Sequence, residues 1–159
     1  MTDKTIIQRI DAIESRFAIE DLIAKYAQAF DTHDEDMLKG IWHDGATLSL
    51  GEALGEHVGV DAILAFAREN WAAMPHMHHW MANAIIAIEG DGATGLSSVD
   101  SLVTHAEMGQ LQISGLYRDR YERKAGRWAI ATRSFELHFM TPLKNWEPVA
   151  GSETPVKAA

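Results

Sequence analysis

IEDLIAKYAQAFDTHDEDMLKGIWHD, residues 19–44, is the stretch whose reading decides the fold. Ile19, Leu22, Ile23, Tyr26 and Phe30 recur at three- and four-residue steps, so they share one helical face. Two residues there do not suit a plain core. Tyr26 carries a hydroxyl, and Asp31 follows Phe30 where the apolar run stops. Asp34, Glu35 and Asp36 then open a second short helix, where acidic side chains suit the dipole of a first turn. Met37, Leu38, Ile41 and Trp42 form its inward face. Upstream, Ile6, Ile7, Ile10, Ile13 and Phe17 keep the same helical spacing. Residues 5–30 are therefore one long helix or two with a bend near Ser15, and their apolar stripe needs a partner surface.

After Asp44 the punctuation changes. Gly45, Gly51, Gly55 and Gly59 cut the chain into short pieces, with a strand at 46–50 and a turn at 51–55. Val60 and Asp61 open a helix that buries Ile63, Leu64, Phe66 and Ala67, and Pro75 helps stop it. His76, His78 and His79 lead into a strand over 81–89, and Gly90-Asp91-Gly92 turns it. Residues 94–105, 110–123 and 127–139 read as three further strands, the last two joined at Lys124-Ala125-Gly126. Helices first and long antiparallel strands afterwards is an α+β layout, here a sheet curved around the N-terminal helices. Residues 1–145 read as one domain and 146–159 as a loosely held tail.

Composition narrows the function. A chain of 159 residues with 47% apolar and 23% charged residues is one globular domain. A net charge of −9 argues against nucleic acid and anionic membranes as partners. The absence of cysteine excludes disulfides, thiolate metal sites and cysteine nucleophiles. No run is apolar enough to span a bilayer and the N-terminus lacks a signal-peptide core, so a cytoplasmic location is expected.

Three groups of residues invite chemistry. In the last strand, alternation puts Arg133 on a face with Ala129, Ala131, Phe135, Leu137 and Phe139. A guanidinium there needs an anion, so Arg133 is either a pocket residue or half of a structural pair with a core carboxylate. Asp100, beside the apolar Val99, is a candidate for that carboxylate. The histidines suggest a metal first, but His78 and His79 point to opposite faces of a strand and no HExxH-type spacing accompanies them. One histidine used as a general base fits better, sharing a face with Met81, Asn83 and Ile85. Asp31 or Asp100 would orient it by accepting from the other ring nitrogen. Against this stand plainer roles: a histidine satisfied by a backbone carbonyl, and Asp31 as a turn cap.

Taken together, AIEDLIAKYAQAFDTHD, LKGIWHDGATL, HHWMANAIIAIEG and LYRDRYERKAGRW, in that order, resemble the nuclear-transport-factor-2-like superfamily in its SnoaL-like branch. The resemblance runs from about Ile13 to Leu143 and implies a cone-shaped α+β barrel. It is similar to three lyases of the group: scytalone dehydratase, hexachlorocyclohexane dehydrochlorinase and bile acid 7-alpha-dehydratase. The resemblance implies an Asp–His dyad inside the cone, matching Asp31 and selecting His79, four residues before Asn83. It also implies roles for Tyr26, five residues before Asp31, and for Arg133, five after Trp128. His105 is the candidate for a second, deeper histidine.

The function expected on this basis is a cofactor-independent lyase. His79, Asp31, Tyr26 and Arg133 would be catalytic. Phe30, Trp42, Phe66, Asn83, Asp100 and Phe135 would line a hydrophobic cavity for a small ring-containing substrate. The resemblance further implies a homo-oligomer, a trimer in preference to a dimer, and requires no metal. Three alternatives stay open: a steroid-isomerase-like proton transfer enzyme, a non-catalytic ligand-binding protein, and the small subunit of a ring-hydroxylating dioxygenase.

Overall fold

Thr5 accepts the backbone N–H of Gln8 at 3.2 Å, and the Gln8 side chain accepts that of Thr5 at 2.9 Å. This reciprocal cap starts α1 (Ile6–Thr32), one unbroken helix of 27 residues, in a computed structural model that describes residues 5–144. The tail expected at 146–159 lies outside the described residues. His33 ends α1 in the left-handed region at φ 55°. Asp34 then caps α2 (Glu35–Gly40), accepting from the Met37 N–H at 2.8 Å.

The order continues with β1 (Trp42–Ser49), α3 (Gly51–Leu54), β2 (Glu56–Val58), α4 (Val60–Ala73), β3 (His76–Glu89), β4 (Gly92–His105), β5 (Gly109–Lys124) and β6 (Arg127–Pro142). The six strands form one curved sheet in the order β2-β1-β6-β5-β4-β3. All neighbours are antiparallel except β1 and β6. The α+β class is as expected. The barrel is unclosed, because β2 and β3 are edge strands, and α1 packs against β3. The inner face of α1 (Ile19, Leu22, Ile23, Tyr26, Phe30) meets Ile63 and Leu64 of α4 and the concave side of the sheet in one core.

Several boundaries differ from expectation. Trp42 begins β1 instead of ending α2, and residues 51–54 make a helical turn. All three clustered histidines lie within β3. Bulges change which side chains face inward. Asn83, at φ 54°, sits where the β3–β4 register shifts between Ala82 and Ile85. Before it Met77 and Met81 join the core; after it Ala84, Ile86 and Ile88 do. Asn83 and Ile85 are therefore exposed, not on the face of His79. In β6 the register shifts at Ala131 and again at His138. Trp128 and Ile130 consequently face inward with Arg133 and Phe135, while Leu137 and Phe139 are exposed.

Candidate active site

The end of α1 and the edge of the sheet build the site. Asp31 sits in the last turn of α1, beside the free edge of β3. An edge strand has unpaired backbone N–H groups, and Asp31 satisfies one: its Oδ2 accepts the N–H of His79 at 2.9 Å. Its Oδ1 lies 2.5 Å from His79 Nδ1. An ionised carboxylate only accepts, so Nδ1 carries the hydrogen and Nε2 is left with its lone pair. Both side chains are largely shielded, at 9% and 12% exposed. His78, on the other face of the strand, brings its Nδ1 to 3.6 Å from Asp31 Oδ2 and stays exposed. His33 stacks on Trp71, with ring centroids 5.1 Å apart, while the Trp71 indole N–H donates to the Phe30 carbonyl at 3.0 Å.

His79 lines a cavity of about 90 Å³ between the helices and the sheet. That is room for roughly three waters. Phe30, Phe66 and Phe135 line it, with Met74, Met77, Val99, Val103 and Ile113. Its polar groups are Tyr26, Tyr117, Ser101 and Asn70. A larger surface hollow, about 690 Å³, lies between Lys39, Val58 and Arg127. Neither Asp31 nor His79 borders it, so the smaller space is the one next to reactive groups.

Arg133 does not reach the cavity. It is fully buried and grips Asp119 with two hydrogen bonds, Nε to Oδ1 at 2.8 Å and Nη2 to Oδ2 at 2.7 Å. Tyr26 and Tyr117 cover it with their rings, centroids 4.2 and 4.5 Å from the guanidinium carbon. Burial opposes the charge on Arg133, and the carboxylate of Asp119 more than restores it. Tyr121 donates to Asp119 Oδ2 at 2.5 Å. The hydroxyls of Tyr117 and Tyr26 lie 3.5 Å apart, and both residues border the cavity. Burial pushes the Tyr26 phenol well up and also raises that of Tyr117, so both stay neutral through the physiological range.

The remaining expected residues fall elsewhere. Asp100 points outward, where Ser114 donates to it, so it neither lines the cavity nor pairs with Arg133. Its strand alternates with odd-numbered residues inward, as the burial of Ser97, Val99, Ser101 and Val103 records. Trp42 is buried behind Tyr26, ring centroids 6.1 Å apart, instead of lining the cavity. Asn83 borders a shallow outer depression with Glu20 and Ala24. His105 is used locally, its Nδ1 accepting the N–H groups of Glu107 and Met108. Asp119, Tyr117 and Ser101 went unnoticed in the sequence. The alternation Tyr117, Asp119, Tyr121 on β5 carried the signal for the first two. Among the described residues no cluster of three or more histidines and carboxylates is arranged to hold a metal ion, and no helix is long and apolar enough to cross a membrane.

Helices flooring a curved sheet, with a carboxylate–imidazole pair at the wall of an apolar cavity, define a class of small α+β cavity proteins. A family model described as a SnoaL-like domain matches residues 11–134, and the chain belongs to that family. It is similar to gamma-hexachlorocyclohexane dehydrochlorinase from Sphingobium indicum, at 29% identity over 84% of this chain and 87% of that protein. Hexachlorocyclohexane dehydrochlorinase 1 of the same species is 28% identical over 84% of this chain and 88% of its own length. The crystal structure of LinA superposes with a TM-score of 0.86 at 27% identity, over 90% of this chain and 99% of that one. The LinA-type3 dehydrochlorinase from Novosphingobium barchaimii gives 0.85 at 25% identity, over 90% and 99% of the two chains.

Proposed function

We propose that this protein is a lyase that eliminates water or a halide from a small hydrophobic, ring-containing substrate without a cofactor. The observation that carries this reading is the double contact of Asp31 with His79 at the wall of an apolar cavity. Asp31 fixes the ring and its tautomer, leaving Nε2 as the base. Nε2 takes a proton from a substrate carbon, the C–H electrons form the new double bond, and the leaving group departs with its bonding pair. The resulting imidazolium is stabilised by Asp31. Tyr26 donates a hydrogen bond toward the charge that develops on the departing or carbonyl atom.

The lining supports an uncharged substrate. No lysine, arginine, aspartate or glutamate borders the cavity, and the charge of Arg133 is spent on Asp119. Burying an ion there would leave it unpaired at a high cost. A ring needs more space than about 90 Å³, and the flexible side chains of Met74, Met77 and Leu54 are placed to give way. The dehydrochlorinase relatives favour halide as one leaving group.

The test is a panel of halogenated and hydroxylated cyclic hydrocarbons, followed by halide release and by alkene formation. Turnover by the natural chain that disappears in His79→Ala supports the proposal. Deuterium wash-in from solvent with no group lost would instead identify an isomerase. Turnover that survives His79→Ala would remove the base from the mechanism.

A further inference from the structure

The cavity beside His79 needs a way in, and exposure marks it. Among the described residues that line the cavity, Leu54 alone is exposed, at 49%. Leu50, Phe66 and Met74, all partly buried, line the same space. On another side the wall is Tyr26, with Trp42 and Arg133 packed behind it and all three buried. Leu54 therefore stands at the mouth.

Leu54 ends α3, and α3 is the tip of the β1–β2 hairpin. Ser49 pairs with Glu56, and residues 50–55 fold between them. The tip is closed on itself. The Leu50 N–H donates to the Gly55 carbonyl at 2.9 Å, and the Gly55 N–H to the Gly51 carbonyl at 2.8 Å. Its hold on the rest of the molecule is light: no residue of α3 is buried. His57 Nε2 donates to the Leu54 carbonyl at 3.0 Å, and the His57 ring lies 4.4 Å from that of Phe66.

Both ends of the tip are glycines whose backbone other residues avoid. Gly51 has φ 80°, and Gly55 has φ 75° with ψ −161°. The second combination is almost confined to glycine. A Cβ added at either position would meet nothing within 4 Å. Packing does not require these glycines; the path of the backbone does. A self-bonded tip between two glycines can swing as a unit without breaking its own bonds. The cavity calls for such a movement, because its volume of about 90 Å³ is less than a ring needs.

We propose that α3 is the gate of this cavity. It swings about Gly51 and Gly55 to admit substrate, and Leu54 sets the size of ring that passes. This rests on the reading of the cavity as the substrate site, and not on the chemistry done there.

The chain has no cysteine, so Val99→Cys places a single thiol on the sheet wall of the cavity, where Val99 is 4% exposed. Its rate of modification by methyl methanethiosulfonate reads how often the gate opens. Gly55→Ala in that background strains the closed position and should raise the rate about tenfold. Gly126→Ala strains the turn between β5 and β6 in the same way, at φ 78° and with open space around it, and should leave the rate as it is. Leu54→Ala should raise the ratio of labelling by benzyl methanethiosulfonate, which carries a ring, to labelling by the methyl reagent, by about tenfold. Ile113→Cys, on β5 and also lining the cavity, is the second reporter, used where Val99→Cys fails to fold by circular dichroism. An unchanged rate in Gly55→Ala would overturn the gate. So would an equal rise in Gly126→Ala, which would trace the labelling to general loosening. An unmoved benzyl-to-methyl ratio would overturn the role of Leu54. The labelling needs no turnover, so a failed gate is told apart from a failed base at His79, which halide release reads.

Discussion

Asp31 holds His79 at two points, taking the ring hydrogen of Nδ1 at 2.5 Å and the backbone N–H at 2.9 Å. The first contact sets the tautomer. The second ties the end of a helix to the free edge of a sheet, so the carboxylate is held beside the residue whose ring it orients.

Asp31→Asn replaces one accepting oxygen with a donating amide. The imidazole is then no longer fixed with Nε2 basic. We expect turnover of an active substrate to fall by about a hundred- to ten-thousand-fold, with His79→Ala at least as severe. Initial-rate measurements check this, with thermal melts showing that both variants fold. An Asp31→Asn rate within threefold of the natural chain would mean that the carboxylate is only a strand cap.

Tyr26→Phe removes the hydroxyl and keeps the ring over Arg133. The donor role requires kcat to fall, by about a hundredfold, with KM little changed. Stability should change by only about 1 kcal/mol, because the one internal hydrogen bond lost is long. A fall in melting temperature with no kinetic effect would make Tyr26 part of the packing alone.

Asp119→Asn leaves the buried guanidinium of Arg133 without its counter-ion. The expected loss is about 3–5 kcal/mol in urea denaturation. Replacing both partners, Asp119→Leu with Arg133→Met, should cost clearly less than the single change, because no charge remains inside. If Asp119→Asn lost less than about 1 kcal/mol, the ion pair would not organise the tyrosines as described.

His33 governs part of the acid response. Burial against Trp71, and then the neighbouring charge of His76, hold its imidazole below the usual value, with Asp31 pulling the other way. The unfolded chain therefore binds the proton first, so stability is lost as pH falls through about 6.5, the unfolded value. His33→Asn keeps a residue that tolerates the left-handed turn at φ 55°. Its melting temperature should fall less than that of the natural chain between pH 7 and pH 5, and an equal fall would assign the response to other groups.

The sequence by itself determined the helical floor and the order of the strands. Both rest on local periodicity: Ile19 to Phe30 repeat at helical steps, and Gly90-Asp91-Gly92 and Lys124-Ala125-Gly126 punctuate long alternating runs. It also marked Asp31, Tyr26 and Arg133 as residues too polar for their neighbours, and it offered three histidines, of which only the family resemblance selected His79. What those residues touch was decided by register, which is not local. Counted back from its hairpin, β6 would set Arg133 opposite Arg118; the bulge at Ala131 moves it by one, onto Asp119. The bulge at Asn83 likewise turns Asn83 and Ile85 away from the face of His79. A bulge adds one residue and inverts every side chain beyond it. Its position depends on how the curved sheet closes over the helices, so only the tertiary structure decides which charges end up inside and with what partner.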